Sequence, residues 1–188
     1  MSFLQSDAFR GWRNSLAAGK MRAMKSRLSP DAVISSVQPE DFPRVVEVWE
    51  ASVRATHDFV TEDDIQFFRP LVRTGLPKVA RLACVRDKRG DVVGFVGVNG
   101  ANVDMLFVAP ICMGQGIGRQ LLTHAIAAFG AETLDVNEQN PQAVGFYLRM
   151  GFEVVGGSEL DDFGKPYPLL HMRLGGSAAR AMFLNLAT

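Results

Sequence analysis

Apolar positions recur with the spacing of an α-helix in four segments of the chain. Two of these segments begin with residues that favour a helix start: a proline with acidic neighbours in one, and Thr61 followed by three acidic side chains in the other. A third segment follows a glycine-rich turn, and the fourth is short. The pattern predicts helices at residues 39–56, 61–72, 117–129 and 141–150.

Seven shorter segments are continuously apolar or alternate between apolar and polar residues, as β-strands do. Asp87–Asp91 is a hairpin turn by composition, and Asn99-Gly100 is a second turn. The predicted strands are residues 32–37, 81–86, 92–98, 103–108, 132–137, 152–156 and 169–174. Together with the helices they predict a mixed α/β domain without internal repeats, in the order β-α-α-β-β-β-α-β-α-β-β.

The bulk composition fits this picture. The 188 residues are 47% hydrophobic and 21% charged, as expected of one globular domain that buries a core. No apolar run approaches the roughly 18 residues of a membrane span, so we expect a soluble protein with no membrane partner. Cys84 and Cys112 lie far apart in no ligand-like spacing. They could be bridged in an oxidising compartment, but we expect a reduced, cytoplasmic chain without a metal site.

The net charge of zero hides an asymmetry between the N-terminus and the rest of the chain. Residues 1–29 hold six basic side chains and one acid, which leaves 14 basic and 19 acidic groups, a net charge of −5, in the remainder. We interpret residues 1–29 as a helical or flexible extension, with a targeting peptide or a nucleic-acid arm as alternatives. The acidic remainder argues against nucleic acid as the main partner and favours a cationic acceptor. The tail at residues 175–188 has no predicted structure.

The turn at residues 113–118 carries the clearest chemical signal. A strand, a glycine-rich turn and an amphipathic helix together hold phosphate, because backbone N–H groups converge there and the helix dipole favours an anion. A Walker loop would need Gly-Lys-Ser/Thr, whereas Gly118 is followed by Arg and Gln. A dinucleotide fingerprint would need a third glycine where the chain has Arg119. The remaining pattern is x-x-Gly-x-Gly at the entry to a helix.

At this turn the chain resembles the GNAT superfamily of N-acetyltransferases. The run MLFVAPICMGQGIGRQLLTHAI is similar to the family's motif A, with the consensus Gln/Arg-x-x-Gly-x-Gly/Ala, and NPQAVGFYLRMGF follows at the family's spacing. The segments SVRATHDF and SELDDFGKPYPLL resemble the small bacterial YjaB-type acetyltransferases. The resemblance covers roughly residues 32–174.

The resemblance implies a GNAT fold for residues 30–174: a mixed, mostly antiparallel sheet of about seven strands flanked by about four helices. It also implies direct transfer of an acetyl group from acetyl-CoA to a primary amine in a ternary complex. A β-bulge, mapped to residues 106–108, would supply a donor to the reacting carbonyl, and this strand would pair with the pantetheine arm. The implied cofactor-binding residues are Leu106, Phe107, Val108, Met113, Gly114, Gln115, Gly116, Ile117, Gly118, Arg119, Asn140 and Tyr147.

Met113 departs from the family pattern, which has Gln or Arg at that position. The change removes one side-chain contact, but backbone donors would do most of the binding, so we expect binding to persist. It leaves an alternative open, in which the chain is a catalytically weak acyl-CoA-binding or sensing module.

Amine acetylation needs a neutral amine, donors for the oxyanion and a proton for the departing thiolate. The resemblance implies that Tyr147 is the general acid and that Asn140 lies near the cofactor arm, although Tyr147 could instead pack in the core and Asn140 could simply cap a helix. The candidate bases are Asp104, Glu138 and His57, between which the sequence does not decide. His124 and His171 are interpreted as non-catalytic.

The acceptor would lie between the loop after the first helix and the loop between the last two strands, as the resemblance implies. Turn chemistry alone could explain the aspartates of the second loop. The acceptor could be a peptide N-terminus, a lysine, a polyamine or an amino sugar, and the chain a monomer or a homodimer. The candidate acceptor-binding residues are His57, Phe59, Asp161, Asp162 and Tyr167.

Overall fold

The computed structural model describes residues 33–176 and Phe183. The helix expected within the basic N-terminal extension lies outside the described residues, as does most of the tail. Within the tail, Gly175, Gly176 and Phe183 are described, and Phe183 is helical and buried in the main core. A single aromatic residue in a small, apolar tail gives no periodicity, so its place in the core could not be predicted.

The expected order of elements and the fold class are confirmed for the described residues. Four helices and seven strands follow one another in the predicted order, with short 3₁₀ turns at Pro39–Asp41, Leu76–Lys78 and Pro110–Cys112. No helix in this part of the chain has the length and apolar character to cross a membrane. The helices are α1 (Phe42–Thr56), α2 (Glu62–Gly75), α3 (Ile117–Phe129) and α4 (Pro141–Arg149). The strands are β1 (Ile34–Ser36), β2 (Arg81–Arg86), β3 (Val92–Asn99), β4 (Asn102–Val108), β5 (Thr133–Asn137), β6 (Phe152–Ser158) and β7 (Leu169–Leu174).

Side-chain caps explain where two of the helices begin. The Thr61 hydroxyl accepts a hydrogen bond from the Asp64 N–H, and the Asn140 carboxamide oxygen accepts one from the Ala143 N–H. Helix α2 runs three residues beyond its predicted end, with Pro70 in its interior. The apolar repeat ends at Val72, so the last turn carries no periodic signal.

All seven strands form one sheet in the order β1-β2-β3-β4-β5-β7-β6. Only β4 and β5 run parallel, and they pair at just two positions, Asn102 with Thr133 and Val103 with Leu134. Beyond those pairs the two strands separate. The edge of β4 that faces β5 is therefore free of strand pairing from Asp104 to Val108.

The core is centred on β3, in which every residue from Val92 to Val98 is buried. Successive side chains of a strand point to opposite faces, so both faces of β3 are covered, and α1 and α3 both pack on this strand. The approach of α3 is close at Gly94, where a β-carbon would lie 2.9 Å from Ile117 Cγ2 and 3.2 Å from the Phe107 carbonyl oxygen.

Gly94→Ala is expected to lower the free energy of unfolding by about 1–3 kcal/mol, because the added methyl group overpacks the contact between β3 and α3. Gly75→Ala is the matched control, since a β-carbon at Gly75 meets no atom within 4 Å. That control should leave the stability unchanged or raise it by up to about 1 kcal/mol. Urea unfolding of both variants measures the difference, and equal stabilities would contradict the packing explanation.

Candidate functional site

A cavity of about 530 Å³ opens where β4 and β5 separate. Five parts of the chain line it: the end of α1, the strands β4 and β5, the glycine turn with the start of α3, and helix α4. Most of the predicted site residues lie in its wall. These are His57, Asp104, Leu106, Phe107, Val108, Met113, Gly114, Gly116, Ile117, Gly118, Arg119, Asn140 and Tyr147.

The glycine turn presents backbone donors to this cavity. Gly114 and Gly116 have φ angles of +71° and +84°, a left-handed conformation that side chains disfavour, and a β-carbon at either position would meet no atom within 4 Å. The first intrahelical bond of α3 runs from the Gln120 N–H to the Gly116 carbonyl. Among the described residues, the N–H groups from 114 to 119 therefore have no backbone partner.

Met113 and Gln115 present fewer groups to the cavity than the predicted motif suggests. The Met113 N–H donates to the Pro110 carbonyl at 3.2 Å, so this residue lines the cavity without offering a free backbone donor. The Gln115 side chain turns back and donates to the Ile111 carbonyl at 3.0 Å, and it does not line the cavity. Arg119 is exposed at the cavity wall and has no ion-pair partner in the described part of the chain. It places a positive charge beside the free N–H groups.

Tyr147 both packs in the core and lines the cavity, so its two interpretations are compatible. Its ring lies 5.1 Å from that of Phe146 and 6.0 Å from that of Phe152. Burial raises the pKa of the Tyr147 phenol well above its usual value, which keeps the proton on the hydroxyl. The hydroxyl has no hydrogen-bond partner among residues 33–176. Asn140, which also lines the cavity, is buried, and its carboxamide oxygen caps α4.

The β-bulge of β4 lies at Asp104, two residues before the expected segment 106–108. Met105 pairs with Gly97 and Val103 pairs with Val98, which leaves Asp104 as the extra residue. The segment 106–108 pairs regularly with β3. The expected position was wrong because a bulge follows from the register of two strands, which the sequence of one strand does not contain.

The three candidate bases differ in their surroundings. The Asp104 carboxylate accepts hydrogen bonds from Asn99 at 2.5 Å and from Asn102 at 2.8 Å. Glu138 is exposed and does not line the cavity. His57 is half-buried at the cavity wall, and its Nδ1 lies 2.8 Å from the Thr56 hydroxyl. Burial lowers the pKa of His57, against smaller opposing effects of the Val53 carbonyl and the Asp58 charge.

Of the five candidate acceptor residues, His57 lies in the cavity wall and the other four do not. The Phe59 ring lies 5.4 Å from the His57 ring and 5.9 Å from the Tyr167 ring. Asp161 accepts hydrogen bonds from the N–H groups of residues 163 and 165, as a turn aspartate does. Asp162 is exposed.

The loop between β6 and β7 is tied to the start of α2 through Asp64. Lys165 Nζ lies 2.6 Å from one carboxylate oxygen of Asp64, and the Tyr167 hydroxyl donates to the other at 2.5 Å. The Thr61 hydroxyl adds a third hydrogen bond. Led by the Lys165 contact, these bonds lower the pKa of Asp64 to about 2.

The cavity wall also contains polar residues that no signal in the sequence selects as site residues, among them Ser52 and Asp135. Ser52 on α1 is almost fully buried, yet it lines the cavity. Asp135 on β5 also lines it and pairs with His171 Nδ1 at 2.5 Å. The alternation of Asp135 with buried Leu134 and Val136 predicts that it faces away from them. Its position in the cavity additionally requires the separation of β4 from β5.

Comparison with known proteins identifies the family. Residues 75–174 match the family model described as an acetyltransferase (GNAT) domain. Two proteins named peptidyl-lysine N-acetyltransferase YjaB, from Salmonella typhimurium and Escherichia coli, are each 44% identical to the chain. The alignments cover 71% and 73% of this chain, and 91% and 93% of the respective relatives.

Solved structures agree with this result. The solution structure of apo-form YjaB from Escherichia coli matches with a TM-score of 0.69 and 44% identity, covering 77% of this chain and 99% of that one. The PaiA N-acetyltransferase from Thermoplasma acidophilum, solved in complex with coenzyme A, matches with a TM-score of 0.59 at 18% identity, covering 76% and 98%. That second match shows a shared fold.

The Asp64 contacts predict a pH-dependent difference in stability between the wild type and Asp64→Asn. The folded-state pKa of about 2 lies below the usual 3.8, so the carboxylate stabilises the fold above about pH 4. This advantage over the variant should disappear as the pH falls through about 2. Urea unfolding at a series of pH values measures it.

Asp63→Asn is the matched control, because it removes a neighbouring carboxylate from the same helix turn. It should not reproduce the loss. A stability difference for Asp64→Asn that is the same at pH 2 and pH 7 would contradict the assignment.

Proposed function

This chain belongs to the GNAT family of acetyltransferases and is an acyltransferase enzyme, and from this premise we propose that it acetylates primary amines with acetyl-CoA. The transfer is direct, within a ternary complex of enzyme, acyl donor and amine. One observation carries the proposal: a turn with free backbone donors and a protonated phenol without a partner among the described residues lie in the wall of one cavity.

The residues of the cavity fit coenzyme A. The N–H groups from Gly114 to Arg119 form an anion site for the diphosphate, with the Arg119 guanidinium beside them. The free edge of β4 beyond Val103 offers backbone groups to the amides of the pantetheine arm, as an added strand would use them. Binding therefore rests mostly on backbone atoms, which reduces the consequence of having Met113 in the turn.

Tyr147 acts as the general acid. Its burial keeps the phenol protonated, and the hydroxyl has no hydrogen-bond partner in the described part of the chain to compete for the proton. The departing thiolate of coenzyme A takes that proton as the C–S bond breaks. Asn140 holds the start of α4, which fixes the direction of the helix that carries Tyr147.

We propose a lysine side chain of a polypeptide as the acceptor. The relatives that are 44% identical are named peptidyl-lysine N-acetyltransferases. An aromatic surface lies on α2 and on the loop that carries Tyr167, and it consists of exposed Phe67 and Phe163 with half-buried Phe68 between α2 and the core. Exposed apolar surface of this kind marks contact with a large partner, which suits residues that flank a lysine. The cytoplasmic location and the oligomeric state stay predictions.

Binding and turnover are expected to separate in two variants. Gly116→Ala should weaken coenzyme A binding by about tenfold or more, because the left-handed backbone resists a β-carbon by about 1–2 kcal/mol. Tyr147→Phe should retain binding but lower the turnover number by about a hundredfold. Calorimetric titration with coenzyme A and a thiol-release assay measure the two effects.

Gly100→Ala is the control for backbone strain, since Gly100 also has a positive φ, of +58°, but does not line the cavity. It should be destabilised without losing affinity for coenzyme A. Tight binding by the wild type without turnover on any amine would favour the binding-module alternative.

The acceptor proposal predicts a selective effect of Phe163→Ser. The KM for a lysine-containing peptide should rise about tenfold, while the KM for a small free amine stays the same, because only the peptide reaches the aromatic surface. Val155→Ser is the control, since Val155 is 58% exposed and Phe163 57%. Equal effects on both acceptors would exclude the surface as a docking site for the peptide.

A further inference from the structure

Helix α1 ends in a chain of hydrogen bonds that leads into the cavity. The Thr56 hydroxyl donates to the Ser52 carbonyl at 2.9 Å, and the same oxygen lies 2.8 Å from His57 Nδ1. Thr56 and His57 both line the cavity. The loop after a helix thus holds an imidazole whose orientation is set by the last turn of that helix.

The hydrogen bond from Thr56 to the Ser52 carbonyl favours one tautomer of His57. A threonine hydroxyl has one proton, and the Ser52 carbonyl can only accept, so that proton lies between Thr56 and Ser52. The contact with His57 is then a hydrogen bond only if Nδ1 carries a proton and donates to Thr56 Oγ1. In the neutral ring the other nitrogen, Nε2, is unprotonated and free to accept a proton.

The surroundings keep this ring neutral near pH 7. Burial lowers its pKa and outweighs the Val53 carbonyl and the Asp58 charge, both of which favour the charged form. The cavity also contains ionisable groups on the other elements around it. They are Asp104 on β4, Asp135 on β5, Arg119 on α3 and Tyr147 on α4.

The other possible bases in the wall are already engaged. Each oxygen of Asp104 accepts a hydrogen bond from an asparagine side chain, and Asp135 is paired with His171. The hydroxyl of Tyr147 is needed as the acid. His57 Nε2 has no hydrogen-bond partner among the described residues.

We propose that His57 Nε2 is the general base of the reaction and that Thr56 is the positioning residue that fixes its tautomer. This inference rests on the proposed function. The acceptor ammonium transfers a proton to Nε2, and the neutral nitrogen then forms the C–N bond to the thioester carbonyl while the C–S bond breaks. Tyr147 protonates the thiolate and recovers a proton from the acylated nitrogen, and His57 releases its proton to solvent.

The first experiment measures the tautomer in the free enzyme and requires no activity. Long-range proton–nitrogen correlation of ¹⁵N-histidine-labelled protein should show a protonated Nδ1 and an unprotonated Nε2 for His57 at neutral pH. Thr56→Ser should preserve this pattern, and Thr56→Val should lose it. Thr74→Val is the matched control, because Thr74 donates to the Pro70 carbonyl with the same 2.9 Å bond on an exposed helix.

The second experiment compares acceptor amines of different pKa. At pH 7 only about one in 2,500 lysine-like amines is neutral, given a pKa near 10.4. His57→Asn should therefore lower kcat/KM by about a hundredfold to a thousandfold for such amines. For an amine with a pKa below 7 the loss should be less than about tenfold. The rate of His57→Asn on lysine should also rise about tenfold per pH unit towards pH 10. Thr56→Val should show the same dependence on amine pKa and on pH, with smaller losses in kcat/KM.

His124→Asn serves as the control in this comparison, since His124 does not line the cavity. A His57→Asn defect of equal size for all amines, or a His57 ring protonated at Nε2, would overturn the assignment. A correct tautomer in a wild-type enzyme that acetylates no amine would overturn the proposed function and with it the catalytic role of His57.

Discussion

The separation of β4 from β5 after two paired residues is the constraint on which the site depends. Two parallel strands that stay paired would close the sheet, and their backbone groups would be used between them. Here β3 pairs with β4 along its length apart from the bulge at Asp104, and β7 pairs with every residue of β5, which holds the two strands in place while they diverge. The cavity, the free edge of β4 and the approach of the glycine turn all follow from this one geometry.

A cavity inside a sheet would normally lower the stability of the fold, because it leaves polar groups near the core without hydrogen-bond partners. Within the described residues of this fold, the glycine turn and the cavity wall hold several groups without a hydrogen-bond partner: the N–H groups of residues 114–119, the Tyr147 hydroxyl and His57 Nε2. Other polar groups in the wall do have partners, as the bonds of Asp104 and Asp135 show. The distribution favours a ligand that satisfies these groups when it binds.

Local signals in the sequence were sufficient to predict the helices and strands and to locate the residues of the glycine turn. The apolar repeat and the caps predicted the helices, because each signal lies within a few residues of the feature it reports. The bulge at Asp104 and the cavity position of Asp135 depend on register and pairing between distant segments. Ser52 and Thr56 lie on the face of α1 towards the cavity, and the sequence of α1 alone does not distinguish a wall of a cavity from packed core. Phe183 was missed for a different reason, because a single aromatic residue in the tail gives no periodic signal.

The end of α1 shows how competing effects decide the chemistry of His57. A histidine at a helix C-terminus is stabilised in its charged form by the free carbonyls, by up to about 2 kcal/mol in favourable geometries. The Val53 carbonyl acts in this direction, and so does the charge of Asp58. Burial acts in the opposite direction and is larger, so the pKa falls. The helix end thus orients the ring through Thr56, whereas the protonation state is decided by exclusion of water, and a neutral, oriented imidazole requires both.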